Sequence, residues 1–324
     1  MASKTKISIL ELVSHNIRTL INEDKKNIFY LIYYSILEAF LLMVSPLTSA
    51  IIINAVLAHA TLSISVLSFI VISIFLGIAF LQVLKQYILE KFEQRIFVKH
   101  VIKMAEASSK LEGKDSDKTI DKYMNYFFDV ISIQKLFPVL VLNGSALFFK
   151  LIVSLLLLLV FDMNLFFLGL FFIIIFVVLI LFLGRGGASL AIARSDAKHE
   201  AIYFLQNVPF YDKEDSHIFK NLDALLITFV EARRKIFKVI IKQLGLTFFM
   251  EGLILSSFFI LGGYLVFEGK MPIGEFVASE IVIISVTYAL RDFMKQIDYI
   301  YDMIEGFYKI DKLSSKLEKS HVSI

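Results

Sequence analysis

Four ionisable side chains lie within long apolar stretches of the sequence: Glu38, Lys150, Glu251 and Glu280. A charged side chain at the centre of a bilayer costs at least ~2.5–3.5 kcal/mol on insertion scales, so it usually faces a partner or a water-filled cavity. Two interpretations are open. Either these side chains line a pathway for a polar or charged substrate, or Lys150 pairs with Glu38 or Glu251 inside a helix bundle and serves only packing.

The last apolar stretch places several polar residues on one helical face. At 100° per residue, these residues fall within about 20° of a single line. The stripe consists of Glu280, Thr287, Arg291, Asp298 and Glu305. A single satisfied ion pair does not explain so many aligned positions, so the stripe favours a substrate pathway. Thr287 and Arg291 are therefore candidate lining residues beside Glu280.

Residues for metal binding or nucleophilic catalysis are sparse. The chain has no Cys, and its 6 His are far apart, with no pair at metal-ligand spacing. Gly-Lys occurs at Gly113–Lys114 and Gly269–Lys270, but both steps lack the upstream Gly and the following hydroxyl of a phosphate-binding loop. We expect no metal site, no catalytic residue and no ATP hydrolysis by this chain alone.

The composition is that of a membrane protein. Apolar residues make up 57% of the 324 residues and charged residues 19%, and the mean hydropathy is +0.74. Globular chains have about 45–50% apolar and about 25% charged residues. The net charge of +3 is too small and too diluted to indicate a nucleic-acid partner.

The apolar residues are grouped into segments long enough to cross a bilayer. About 20 residues of helix span a hydrocarbon core of about 30 Å. Segments of that size occur at 27–58, 60–84, 136–161, 163–184, 243–267 and 276–301. The sequence therefore predicts an all-α membrane protein with six transmembrane helices.

Positive charges are concentrated on one side of this arrangement. Lys and Arg number 5 before the first segment, 10 in each of the two long loops and 6 from Arg291 onward, whereas the short loops together carry only Lys270. Loops rich in Lys and Arg remain in the cytoplasm. Both termini and both long loops are therefore predicted to be cytoplasmic.

The long loops have a helical pattern of their own. Apolar residues recur at helical spacing at 88–101 and at 222–236, and turn-forming residues interrupt each loop near its middle. Each loop is thus predicted to form a helical extension, a short transverse element and a second extension. An apolar face near the N-terminus predicts an amphipathic elbow helix at 1–26, followed by the membrane domain at 27–306 and a short cytoplasmic tail at 307–324.

This organisation resembles the transmembrane domain of a type I ABC exporter. The resemblance covers essentially the whole chain and is sharpest at the last hairpin, with Gly-Gly-Tyr-Leu-Val at 262–266, Gly269, and Ile-Gly-Glu-Phe-Val-Ala at 273–278. That hairpin is similar to the branch that exports peptides and proteins in bacterial type I secretion. Segments 82–95 and 299–312 resemble the same branch.

The resemblance implies a function and a set of partners. Two transmembrane domains would pair as a homo- or heterodimer in the bacterial inner membrane. A separate ATPase would bind ATP and Mg²⁺, since this chain shows no nucleotide-binding domain, and a periplasmic adaptor is a further candidate partner. The two transverse tips, near 108–119 and 207–217, would couple the domain to the ATPase. The coupling residues would be Leu111, Lys114, Asp115, Asn207, Pro209, Phe210 and Tyr211.

Other functions fit the same sequence. The tips are equally readable as solvated, charged loops. A proton-coupled secondary transporter on this scaffold would use Glu38, Glu251 and Glu280 as titrating groups. A membrane scaffold or regulator that transports nothing would tolerate Leu in the polar stripe. The chain is also readable as a piece of a longer protein that carries its own ATPase.

Overall fold

The computed structural model describes residues 17–19, 21–22, 24–59, 64–109, 116–210 and 217–320, and their regular structure is helical throughout. The helices are α1 (Lys25–Leu42), α2 (Val44–Leu57), α3 (Ile64–Ser109), α4 (Ser116–Phe161), α5 (Met163–Leu183), α6 (Gly187–Asn207), α7 (Ile218–Phe267), α8 (Ile273–Met294) and α9 (Ile297–Ser320). A short 3-10 turn, Val208–Phe210, follows α6. The predicted elbow at 1–26 lies mostly outside the described residues.

The described part of the chain contains six helical segments that are long and apolar enough to cross a membrane. The prediction of an all-α, multi-pass membrane protein is thereby confirmed. The segments are Lys25–Leu57, Ser65–Lys99, Pro138–Phe161, Met163–Leu183, Ile218–Phe267 and Ile273–Lys309.

Three helices are much longer than a bilayer requires. Helices α3 and α4 have 46 residues each and α7 has 50. At ~1.5 Å per residue such a helix is about 70 Å long, more than twice the ~30 Å hydrocarbon core. These helices include the segments at 88–101 and 222–236 for which the sequence pattern predicted helical extensions.

The first and last spans are interrupted. In the first, Met43 separates α1 from α2, and Pro46 in the first turn of α2 has no backbone N–H to donate to the preceding turn. In the last, Lys295 and Gln296 separate α8 from α9. The amide of Gln296 donates to the carbonyl of Phe293 at 3.0 Å, and that of Tyr299 to the carbonyl of Gln296 at 3.0 Å.

The tight turn between α5 and α6 depends on glycine. Gly186 has φ +79°, a left-handed conformation that residues with a Cβ rarely adopt. Next to it, a Cβ on Gly187 would lie 2.5–2.7 Å from the ring of Tyr301. The Tyr301 hydroxyl donates to Gln243 Oε1 at 3.1 Å, and Gln243 Nε2 donates to the carbonyl of Ile180 at 3.2 Å. This contact joins α5, α6, α7 and α9.

The core holds the spans in a fixed arrangement. The larger apolar cluster comes from α4 to α9, with Leu165 and Phe258 almost fully buried. A smaller cluster joins α1, α3, α4 and α9 through Leu31, Phe92 and Phe307. Helix α1 packs on α3 and α4, α8 packs on α2, α4 and α7, and α9 packs on α4 and α6. Helices α1, α4 and α8 therefore meet in the interior.

Candidate functional site

A polar cavity of about 240 Å³ lies where α1, α4 and α8 meet, and it reaches the break between α8 and α9. Its polar lining residues are Ser35, Glu38, Asn143, Lys150, Asp292 and Gln296. The cavity brings together Glu38 and Lys150, two of the residues that the sequence singled out. By contrast, a cavity of about 220 Å³ among α4, α5, α7 and α8 has an almost entirely apolar lining.

Glu38 is held by two side chains from α3. Gln82 Nε2 donates to Glu38 Oε1 at 3.0 Å, and Lys85 Nζ forms an ion pair with Glu38 Oε2. The side chains of Lys85 and Glu38 are only 7% and 11% exposed. The cation that neutralises Glu38 is therefore Lys85, at the end of the second span, rather than Lys150.

Lys150 lines the cavity without an ion pair in the described part of the chain. The charges of Glu38 and Asp292 act on it, but Glu38 is paired with Lys85, and Asp292 Oδ1 accepts from Lys295 Nζ at 3.1 Å. The two pairings considered from the sequence, Lys150 with Glu38 and Lys150 with Glu251, are both absent from the structure.

Neutral polar groups fix the helices around the cavity. Asn143 Nδ2 donates to Gln296 Oε1 at 2.8 Å, which ties α4 to the break between α8 and α9. The hydroxyls of Ser35 and Ser145 are 3.2 Å apart, and Ser35 also donates to the carbonyl of Leu31 at 2.8 Å. These bonds hold α1 and α4 together one turn from Glu38.

The predicted stripe on the last span makes contacts away from this cavity. Arg291 Nη1 donates to Glu251 Oε1 on α7 at 3.0 Å. Thr287 donates to carbonyls of its own helix. Asp298 and Glu305 contact α6. Arg291 therefore faces α7, and Asp298 and Glu305 face α6. The cavity lies on the neighbouring face, at Ala289, Asp292 and Gln296.

Glu280 differs from the other carboxylates in the spans. Its side chain is buried, with 7% of the residue exposed, and neither carboxyl oxygen has a hydrogen-bond partner in the structure. Glu38 and Glu251 each have a cationic partner. Glu280 is thus the carboxyl group among the three whose charge is not compensated by a contact.

An ionic cluster joins α6 to α9. Arg194 contacts Asp298 at 3.3 Å, Glu305 at 3.0 Å, and Asp302. Burial tends to lower the pKa of Arg194, but the charge of Asp302 and the hydrogen bond to Glu305 outweigh it, so the pKa is raised. On the same interface Lys309 Nζ donates to Asp196 Oδ1 at 3.0 Å.

The predicted coupling residues are described only in part. Asn207 ends α6, and its side chain donates to the carbonyl of Tyr203 at 2.6 Å. Pro209 and Phe210 form the 3-10 turn that follows, where Phe210 is 87% exposed. The remaining coupling candidates, Leu111, Lys114, Asp115 and Tyr211, lie outside the described residues.

Several residues of the site were not predicted from the sequence. By sequence pattern Lys85 and Arg194 are only two of the loop charges, and nothing in the pattern distinguishes Asp292. Gln82 and Lys85 at i, i+3 on one helical face were the available signal for a pair that holds a carboxylate. In the described residues no group of three His, Cys, Asp or Glu could hold a metal ion.

No model of a known protein family and no curated protein matches this chain.

Proposed function

We propose that this chain is the transmembrane subunit of an ABC-type exporter, in which it forms the pathway for a polar substrate and is driven by a separately encoded ATPase. The observation that carries the proposal is the polar cavity among α1, α4 and α8, with Lys150 in its wall. An intramembrane charge with no direct counter-charge is tolerated where water or a ligand solvates it. A solvated cavity between membrane spans is what a substrate pathway requires.

The long helices support an energy source outside the membrane. Helices α3, α4 and α7 extend far beyond the length that a bilayer needs. The ionic cluster at Arg194 joins α6 to α9, so a displacement of the tip after α6 would be carried to the last span. In this proposal Phe210, which is exposed at that tip, packs against the surface of the ATPase. The ATPase binds ATP and Mg²⁺.

The proposed setting follows the resemblance at 262–280. The chain pairs with a second transmembrane domain, as a homo- or heterodimer, in a bacterial inner membrane. Both termini and both long loops face the cytoplasm, and a periplasmic adaptor continues the path outward. Type I secretion of a peptide or protein is the corresponding process.

Co-purification tests the energy source. The native protein, extracted gently from its own membranes, is expected to co-elute with an ATP-binding subunit identified by mass spectrometry, more so with a non-hydrolysable ATP analogue. Phe210→Ser should reduce the recovered ATPase severalfold, because it removes an exposed aromatic side chain from the proposed contact. Phe267→Ser is the matched control, since Phe267 is 88% exposed at the other end of α7.

Two outcomes would contradict this part of the proposal. One is the absence of any ATP-binding protein from the native eluate. The other is an equal loss of ATPase in the Phe210 and Phe267 variants.

Proton-coupled transport is the second candidate function, and Glu280 is the observation that favours it. Glu38 and Glu251 are occupied by Lys85 and Arg291, whereas the carboxyl oxygens of Glu280 have no hydrogen-bond partner in the structure. Among the three carboxyl groups, Glu280 is the one placed to carry a proton. Transport that follows an imposed pH gradient without ATPase, and that Glu280→Gln abolishes, would establish this function instead.

A further inference from the structure

The polar cavity contains one positive charge more than its contacts compensate. Glu38 is paired with Lys85, and Asp292 is paired with Lys295. Lys150 has no ion pair in the described part of the chain, although it lines the same cavity. Lys85 and Lys295 do not line the cavity themselves, but when they are counted with the carboxylates that they neutralise, Lys150 is the one charge left over and the sum is about +1.

We propose that the cavity binds a ligand through an anionic group, a carboxylate or a phosphate, with Lys150 as its counter-charge. The inference rests on the proposed function, because the ligand is the transported substrate or a lipid headgroup that enters the same pathway. It adds the charge class of the ligand, which the resemblance to exporters does not supply.

The electrostatics favour an anion over a cation at this position. The attraction between two opposite charges a few ångströms apart is several times stronger at a protein surface than in water. Both carboxylates of the wall already have a close cation, so a cationic ligand would compete with Lys85 or Lys295 and would also face Lys150. An anionic ligand meets Lys150 without displacing an existing pair.

The size of the cavity and its neutral groups define the ligand further. A volume of about 240 Å³ is just below the ~300–1,000 Å³ of pockets that enclose a drug-sized molecule. The cavity therefore holds an anionic group or a small solute rather than a folded chain. Ser35, Asn143 and Gln296 add hydroxyl and amide groups beside Lys150, which suits a polar ligand.

Thiol labelling tests the charge of the site directly, because the chain has no native Cys. Ala289→Cys puts one thiol in the cavity wall of the full-length protein. The protein is reconstituted in phosphatidylcholine bilayers and treated with neutral, anionic and cationic methanethiosulfonate reagents. Each labelling rate is divided by the rate of the same reagent with a free thiol. The anionic reagent is then expected to react roughly fivefold faster than the cationic one, because a nearby ammonium attracts the first and repels the second.

Three second-site variants assign that preference to Lys150. Lys150→Gln should abolish it and Lys150→Arg should retain it. Lys91→Gln should leave it unchanged, since Lys91 is an exposed cation on α3 outside this cavity. If Lys150→Gln fails to fold, the ratio of the anionic to the cationic labelling rate in the Ala289→Cys protein still shows the sign of the charge at the site.

Two further arms identify the source of the anion. Slower labelling of Ala289→Cys with inorganic phosphate indicates a soluble anionic group. Slower labelling in bilayers that contain phosphatidylglycerol, without added phosphate, indicates a lipid headgroup. Protection by neither anion would overturn the proposal.

The outcomes separate the two proposals. If the neutral reagent does not react at Ala289→Cys, the cavity is not open to water and the proposed pathway is wrong. If the neutral reagent reacts but the cationic reagent is as fast as the anionic one, the anion site alone is wrong.

Discussion

Replacing Arg194 by Met is expected to lower the free energy of unfolding by about 3 kcal/mol. The Arg194 side chain is 14% exposed and contacts three carboxylates of α9, among which Glu305 is 6% exposed. Removing one partner of a buried ion pair leaves uncompensated charge and typically costs ~3–5 kcal/mol. Asp298 and Asp302 are partly exposed, and Glu305 keeps a second ion pair with Lys198 at 3.3 Å, so the expected value is at the lower end. Denaturation of the purified protein in detergent measures it.

The control for Arg194 is Arg185→Met. Arg185 is exposed in the turn between α5 and α6 and lies 5.0 Å from the ring of Phe182, so its loss should change stability by no more than about 0.5 kcal/mol. The free energy of unfolding of Arg194→Lys should lie between those of the two Met variants, because an ammonium cannot reproduce the planar fork of a guanidinium. Equal stabilities of Arg194→Met and Arg185→Met would refute the role of the ionic cluster.

Replacing Lys85 by Met is expected to cost about 4 kcal/mol, the largest single effect that the structure predicts. Among the described residues Lys85 and Glu38 form the most buried ion pair between spans. The Met variant removes this pair and leaves the Glu38 carboxylate, 11% exposed, with Gln82 as its hydrogen-bond donor. Removing the charge of Glu38 as well should restore most of the loss, because a neutral pair has no uncompensated charge. The double variant Lys85→Met with Glu38→Gln is therefore the decisive comparison.

Lys91→Met is the control on the same helix, since Lys91 is exposed and lies 4.5 Å from the ring centroid of Tyr87. It should be close to neutral in the same unfolding measurement. A Lys85→Met protein as stable as the Lys91→Met protein would rule out a structural role for the pair. Failure of Glu38→Gln to restore stability would assign the loss to packing of the Lys85 stem instead.

The membrane spans were predictable because their signal is local. A run of about 20 apolar residues forms a membrane helix whatever the rest of the chain does. The runs of apolar residues along the sequence were therefore sufficient to identify the six segments. The helical extensions carry a comparable local signal in the apolar spacing at 88–101 and 222–236. Lys295 and Gln296 include neither Gly nor Pro, so the break between α8 and α9 has no such signal.

The pairing of charges depends on tertiary packing and was not predictable. Glu38, Lys150 and Glu251 were compatible with several pairings, because hydropathy places each in a span but does not tell which spans touch. Packing of α1 on α3 brings Lys85 to Glu38, and packing of α8 on α7 brings Arg291 to Glu251. Lys150 remains in the cavity wall as a consequence of these two pairings.

The predicted alignment of the stripe assumed that the last span is one straight helix. Rotation at 100° per residue does not include the break at 295–296, and it does not show which neighbour a face meets. In the structure Arg291 faces α7, and Asp298 faces Arg194 of α6. Asp292 lies one position from Arg291, and Gln296 lies within the break. Both residues line the cavity instead.

A cysteine scan along α8 tests most directly whether this helix lines a water-filled pathway. Single Cys variants at Ala289, Asp292 and Gln296 are compared with variants at Val286 and Leu290, which line the apolar cavity. In membrane vesicles of either orientation, a neutral, water-soluble thiol reagent should modify the first set at least roughly tenfold faster, because thiolate forms poorly in apolar surroundings. Equal rates in the two sets, or faster reaction at Val286 and Leu290, would contradict the proposed pathway.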